Sequence, residues 1–352
     1  MRLRPEGGIP WKIVAAFAAV YLIWGSTYLA IRFAIETLPP MLMAGVRFLA
    51  AGAVLYGWMR LRGVERPGRA QWRAAAIVGV LLLVGGNGGV VWAEQRVASG
   101  LTALIVSMVP VWVVLLEWLG PRSVRLGRPR RAVLIGVGGG LLGVVLLVGP
   151  GDLLGGGVDP LGAGVLVMGS LSWAFGSTLS RKLPLPSSAG LGTAMEMLAG
   201  GATLLVIGLV AGEAWRLDLA GASTKSVLSL VYLSIFGSLI ALSAYVYLLR
   251  EVAVSKVATY AYVNPIVALL LGAAFAGEEL SPRTMIAAAT ILGSVVLITS
   301  QRAPRAGSPL CELPAGDLAA APPAPRRAAR ILNLLRRGAR GVVGGAARRE
   351  GW

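Results

Sequence analysis

The sequence predicts an all-α membrane protein of ten transmembrane helices, arranged as two inverted five-helix repeats. Three observations carry that prediction. First, 56% of the 352 residues are hydrophobic and 14% are charged, where a soluble domain has about 25% charged residues. No single soluble core could hold so much apolar material. Second, apolar runs near the ~20 residues needed to cross ~30 Å of hydrocarbon recur along the whole chain. Third, short motifs recur at a spacing near 150 residues: Gly25-Ser26-Thr27 as Gly176-Ser177-Thr178, Leu49-Ala50 as Leu198-Ala199, and Leu142-Gly143 as Leu292-Gly293.

Taken in order, residues 1–12 form a short basic N-terminus with Arg2, Arg4 and Lys12. The apolar run at 13–33 is too long for a signal-peptide core and lacks a clean cleavage site, so it is expected to remain as the first span. Further spans are expected at 41–59, 74–93, 99–119, 132–149, 160–180, 189–212, 226–249, 255–276 and 284–300. The first repeat therefore occupies 13–149 and the second 160–300. Residues 301–352 are rich in Pro, Ala, Gly and Arg and are expected to form a disordered cytoplasmic tail. Within the tail, Arg326–Arg340 mixes leucines with arginines, as a helix lying on anionic lipid would; a solvated basic tail that helps hold the C-terminus inside is the favoured account.

Orientation follows from Lys and Arg. With the N-terminus inside, 27 of them fall on the cytoplasmic side and 5 on the other, and Arg47 lies within a span. Both termini are then cytoplasmic. The loop 150–159, with Asp152 and Asp159 and no basic residue, suits the outer face. Five spans per repeat is an odd number, so the second copy enters from the opposite side, as in many secondary transporters.

The two repeats are most alike at Val97–Leu116 and Val252–Leu271, each an apolar run with one central proline, Pro110 or Pro265. A helix in lipid keeps such a proline where a neighbour or cavity satisfies the freed carbonyl. Here those carbonyls belong to Val106 and Ala261. Paired, interrupted spans at corresponding places are a sequence pointer to a transporter's binding site; separate packing kinks are the plainer account.

Composition also excludes. The chain has no histidine and a single cysteine, Cys311, which removes histidine-based triads and zinc sites and any internal disulfide. No Gly-Lys-Ser/Thr phosphate loop is present. No cofactor, metal or nucleic-acid partner is expected, and the glycine run Gly136–Gly143 suits close helix packing.

Charges within spans are costly and therefore informative. Arg47 and Glu196 each lie about seven residues into their spans, on opposite sides of the midplane, so no direct ion pair is expected. Each is either a cavity charge, Arg47 for anionic groups and Glu196 for a cation or coupling proton, or a structural partner of a neighbouring helix. Glu94, at the outer end of the third span, is a candidate gate or proton carrier. The candidate substrate-binding set is Trp24, Tyr28, Asn87, Trp173, Tyr260 and Asn264. Trp24 and Trp173 sit too deep for an interfacial belt, and Tyr260 and Asn264 share a helix face.

Several of these stretches carry a resemblance: Trp24-Gly25-Ser26-Thr27-Tyr28, Pro39-Pro40, Ala44–Gly52, Ser172–Ser177, Glu196–Ala199 and Tyr260–Pro265. In this order they resemble EamA-type permeases of the drug/metabolite transporter superfamily, and most of all the YedA-like inner-membrane permeases. The resemblance covers residues 11–300 and not the tail. It implies a bacterial inner-membrane permease with ten helices around a central cavity, exporting small metabolites, amino acids or drugs. Proton coupling and facilitated diffusion both fit. Two further classes stay open: a membrane sensor acting through its basic tail, and an intramembrane lipid-modifying enzyme built on carboxylates.

Overall fold

The computed structural model describes residues 11–119, 131–148, 158–252, 257 and 259–300. The first ten residues, the basic loop 120–130, the loop 149–157 with Asp152, the stretch around Lys256, and the tail from 301 lie outside the described residues. Every regular element among the described residues is helical.

The first half begins with α1 (Trp11–Ala34) and α2 (Pro40–Leu61). A third helical segment follows, made of α3 (Arg69–Gly79), a π-helical stretch π1 (Val80–Gly88) and α4 (Gly89–Ala93). Next come α5 (Ser99–Val106), α6 (Val109–Leu119) and α7 (Arg131–Val148). The second half has α8 (Pro160–Ser180), α9 (Ala189–Val210), the single turn α10 (Glu213–Arg216), then α11 (Thr224–Tyr232), π2 (Leu233–Ile240) and α12 (Ala241–Glu251) as one segment. It ends with α13 (Tyr260–Ala276) and α14 (Pro282–Ser300).

Helix starts follow local chemistry. Pro40, Pro160 and Pro282 open α2, α8 and α14, where a missing N–H costs nothing. Asp159, Ser188 and Ser223 cap α8, α9 and α11 by accepting from Gly162, Leu191 and Ser226 backbone N–H groups. Gly277, in the left-handed region at φ +64°, stops α13. Segment three starts five residues earlier than hydropathy suggests, because Arg69 and Arg73 mask an amphipathic first turn whose long side chains reach polar surroundings.

Among the described residues, seven helical segments are long and apolar enough to cross a membrane: Trp11–Ala34, Pro40–Leu61, Arg69–Ala93, Ser99–Leu116, Pro160–Ser180, Ala189–Val210 and Thr224–Tyr245. Three shorter apolar helices, Leu134–Val148, Tyr260–Ala276 and Pro282–Ile298, accompany them. The outward faces carry Leu22, Val54, Val145, Met168 and Phe275, each more than half exposed. In water such a surface would aggregate; hydrocarbon leaves it unpenalised.

Small residues let the backbones close up. A Cβ on Gly45 would stand 2.8 Å from the Leu205 nitrogen, and one on Gly201 2.9 Å from the Leu49 nitrogen, so α2 and α9 cross backbone to backbone. The glycine run in α7 receives the side chains of Ile291 and Ile298 of α14 instead. Helix α1 packs on α12 and α13, while α8 packs on π1 and α6.

The two prolines behave differently. The fourth segment does break, with a turn at Ser107-Met108, and Pro110 is the second residue of α6. Pro265, expected to break its span, instead lies inside the continuous α13. It is the sixth residue of that helix, so a single carbonyl near the N-terminal end loses its partner.

Candidate functional site

Between the halves lies a cavity of about 160 Å³, close to the ~150 Å³ that accepts benzene in an engineered protein core. Among the described residues, eight helical segments line it. Helices α7 and α14, which pack on each other, contribute nothing to its wall.

Trp24, Tyr28, Asn87, Trp173, Tyr260 and Asn264 all reach this wall, joined by Arg47 and Pro265. Glu94, Glu196 and Pro110 do not line it. Trp24 is fixed by its indole N–H, which donates to the Gly237 carbonyl at 3.1 Å, and by the edge of Tyr260, with ring centroids 5.4 Å apart. With its nitrogen turned toward the carbonyls that surround it, the Asn264 amide donates to Tyr21 (3.2 Å) and Tyr260 (3.3 Å), tying α13 to α1. Val106 and Ala261, whose carbonyls lack the proline N–H, both line the cavity.

Nothing in hydropathy or residue pattern points to the π-helical stretches. Both lie in the third segment of their half, and both face the cavity: Leu83, Gly86 and Asn87 from π1, Gly237 and Ser238 from π2. A π turn inserts an extra residue and shifts side chains around the axis, a device frequent at functional sites. It turns Ser238 toward Arg47.

Arg47 is 5% exposed. Its Nε–H donates to Ser238 Oγ at 3.0 Å, and its Cζ lies 4.7 Å from the Phe48 ring centroid. Its Nη1 is buried without a partner. Gly237 makes room for the guanidinium: a Cβ there would stand 3.1 Å from Nη2.

Glu94 lies immediately beyond α4, one turn past the cavity residue Val90. Its backbone carbonyl accepts from Arg32 Nη1 at 2.7 Å, yet both its carboxyl oxygens are buried without a partner. Burial, then the neighbouring Glu278 carboxylate, hold the carboxyl well above its ordinary range, against the opposing pull of Arg32.

Two further carboxylates escaped sequence reasoning, because an acid beside a loop looks like any solvated charge. Glu213 accepts from the Met41 and Leu42 N–H groups at 3.2 and 2.9 Å, closing the start of α2. Glu278 accepts from Ser99 and Gly100 at 2.6 and 3.0 Å, closing the start of α5.

A helical bundle with apolar outer faces, a small cavity between its halves and a buried arginine in the cavity wall defines an integral membrane protein. Comparison with known proteins then gives the family. The sequence matches the EamA-like transporter family over residues 11–149 and again over 160–300, and the chain belongs to that family. It is 42% identical, over 82% of its length and 90% of the relative's, to the uncharacterized inner membrane transporter YedA of Escherichia coli K12. An uncharacterized transporter of Synechocystis is 27% identical over 80% of this chain and 88% of its own. A solved crystal structure superposes with a TM-score of 0.56 at 23% identity, covering 83% of this chain and 98% of the other; that likeness concerns the fold alone.

Proposed function

We propose that this chain is a secondary transporter of the bacterial inner membrane that moves small organic solutes outward by alternating access around the central cavity. The observation that carries the proposal is the cavity itself, lined by residues from both halves.

In this reading all ten helical segments span the bilayer, as two inverted repeats with both termini cytoplasmic. The lining residues support it, since they fall into pairs spaced 149 to 155 positions apart: Trp24 with Trp173, Phe48 with Met197, Gly86 with Gly237, Val106 with Ala261. The packing supports it too. Exchanging each segment for the one five later turns α1–α13 packing into α8–α6 packing, and returns α2–α9 and α7–α14 to themselves. The shorter helices, at 1.5 Å per residue, reach about 22–26 Å, a mismatch that local thinning accommodates. Two cysteines introduced singly at Ser187 and Asp218, in a Cys311→Ser background, should label from opposite compartments. Labelling from one compartment would overturn the topology.

Glu94 is the candidate proton carrier. Its carboxyl is buried and unpartnered one turn from the cavity, whereas Glu196 lies outside the cavity wall. The test is flux of a panel of small organic acids, amino acids and amines in proteoliposomes, with and without a pH gradient. Transport is expected to respond to the gradient and to lose that response in Glu94→Gln. A gradient response intact in Glu94→Gln removes Glu94 from coupling, and no flux of any panel member above protein-free vesicles rejects the transporter itself.

A further inference from the structure

We propose that the cavity takes a small organic monoanion, its carboxylate seated on Arg47 and Ser238 and its apolar body against the rings of Trp24, Trp173 and Tyr260. The proposal rests on the transporter reading and narrows its substrate class.

Donors without acceptors mark the seat. The guanidinium of Arg47 stays charged in proteins, yet among the described residues it makes one hydrogen bond, leaves Nη1 buried and unpartnered, and has no carboxylate within ion-pair distance. The acceptor of that bond belongs to Ser238, which is 2% exposed and whose one hydrogen bond among the described residues is this one. The other serine and threonine hydroxyls of the wall are committed: Thr27, Ser107 and Ser170 each donate to a carbonyl of their own helix, at 2.6, 2.6 and 2.8 Å. A buried charge with unpaired donors is costly unless an anion completes it.

The wall also states what it refuses. No Asp or Glu lines the cavity among the described residues. An ammonium group would meet the field of Arg47 and find no carboxylate. Cations are therefore excluded, and zwitterions lose the partner for their positive end. Near the repeat equivalence of 149 residues, Glu196 corresponds to Arg47, but it is turned away from the wall while its neighbour Met197 lines it. The pseudo-symmetry is broken in favour of one positive charge. The remaining lining is apolar and aromatic, and the volume of about 160 Å³ suits a body near the size of benzene.

The test uses the purified full-length protein and three probes of one shape: benzoate, benzamide and benzylammonium. Binding is read by tryptophan fluorescence and by thermal shift. Benzoate is expected to bind at least ten-fold more tightly than benzamide, with benzylammonium weakest. Arg47→Gln and Ser238→Ala are each expected to reduce the preference for benzoate over benzamide about ten-fold or more, whereas Arg47→Lys keeps part of it. If Arg47→Gln does not fold, the wild-type series and Ser238→Ala decide. Benzylammonium binding as tightly as benzoate, no benzoate binding at millimolar concentration, or an unchanged preference in the variants that fold would each overturn the proposal. Failure of the transporter reading would appear separately, as absence of flux in proteoliposomes. Flux without anion preference would spare that reading and reject this one.

Discussion

Arg47 of the first half and Ser238 of the second meet at 3.0 Å, Nε–H donating to Oγ, across residues 191 positions apart in the chain. The contact joins α2 to the π-helical stretch of the eighth segment, with Gly237 leaving room for the guanidinium beside it. Movement of one half against the other must therefore either preserve or break a buried, charge-assisted hydrogen bond. A ligand anion at the same guanidinium competes for the same donors, which couples cavity occupancy to the contact between halves.

Replacing Gly237 by Ala puts a methyl 3.1 Å from both Arg47 Nη2 and Thr27 Cγ2. Overpacking of this kind costs about 1–3 kcal/mol. Gly237→Ala is expected to lower the melting temperature and to reduce flux sharply. Gly138→Ala and Gly293→Ala, where an added Cβ meets nothing within 4 Å, should leave both unchanged. Equal behaviour of the three variants would reject the packing argument.

Glu278 closes the start of α5 by accepting two backbone N–H groups. Removing it leaves both donors unpaired, at a cost of about 1–3 kcal/mol. Glu278→Ala is expected to lower stability by that amount, and Glu278→Gln, which keeps one acceptor oxygen, by less. Thermal unfolding in detergent checks the order.

The buried carboxyl of Glu94 sets a pH dependence. Its value in the folded protein is raised above the ordinary ~4.3, so the fold favours the neutral form. Stability from this group is fully present below the ordinary carboxyl range and is lost as pH rises through the raised value. Melting temperature measured against pH is expected to decline over that interval in the wild type and to flatten in Glu94→Gln. An identical slope in both proteins would show that another group governs the decline.

If the passenger is an anion, the membrane potential has a defined effect. An inside-negative potential of ~100 mV is worth ~2.3 kcal/mol per elementary charge, roughly fifty-fold in an equilibrium ratio, and it drives an anion outward. Proteoliposomes loaded with benzoate and clamped with potassium and valinomycin should release it faster at inside-negative potential, relative to protein-free vesicles. Potential-independent release would point to a neutral passenger or to compensating proton movement.

The sequence by itself determined the helical membrane class, the approximate helix ends, the repeat, and six aromatic and amide residues that the structure brings to one cavity. These follow from quantities local to a stretch of chain: hydropathy, charge, and proline and glycine placement. Tertiary structure alone decided which face each helix turns inward. It put Arg47 in the wall and left Glu196 out of it, though both lie at matching depths of matching spans. It made Pro110 a break and Pro265 a continuous helix, gave Glu213 and Glu278 capping roles, and set Ser238 beside Arg47 through a π turn that no residue pattern announces. The physical reason is rotation about the helix axis: a shift of one residue in register moves a side chain by about 100°, which leaves hydropathy untouched and decides whether a charge meets the cavity or a neighbouring helix.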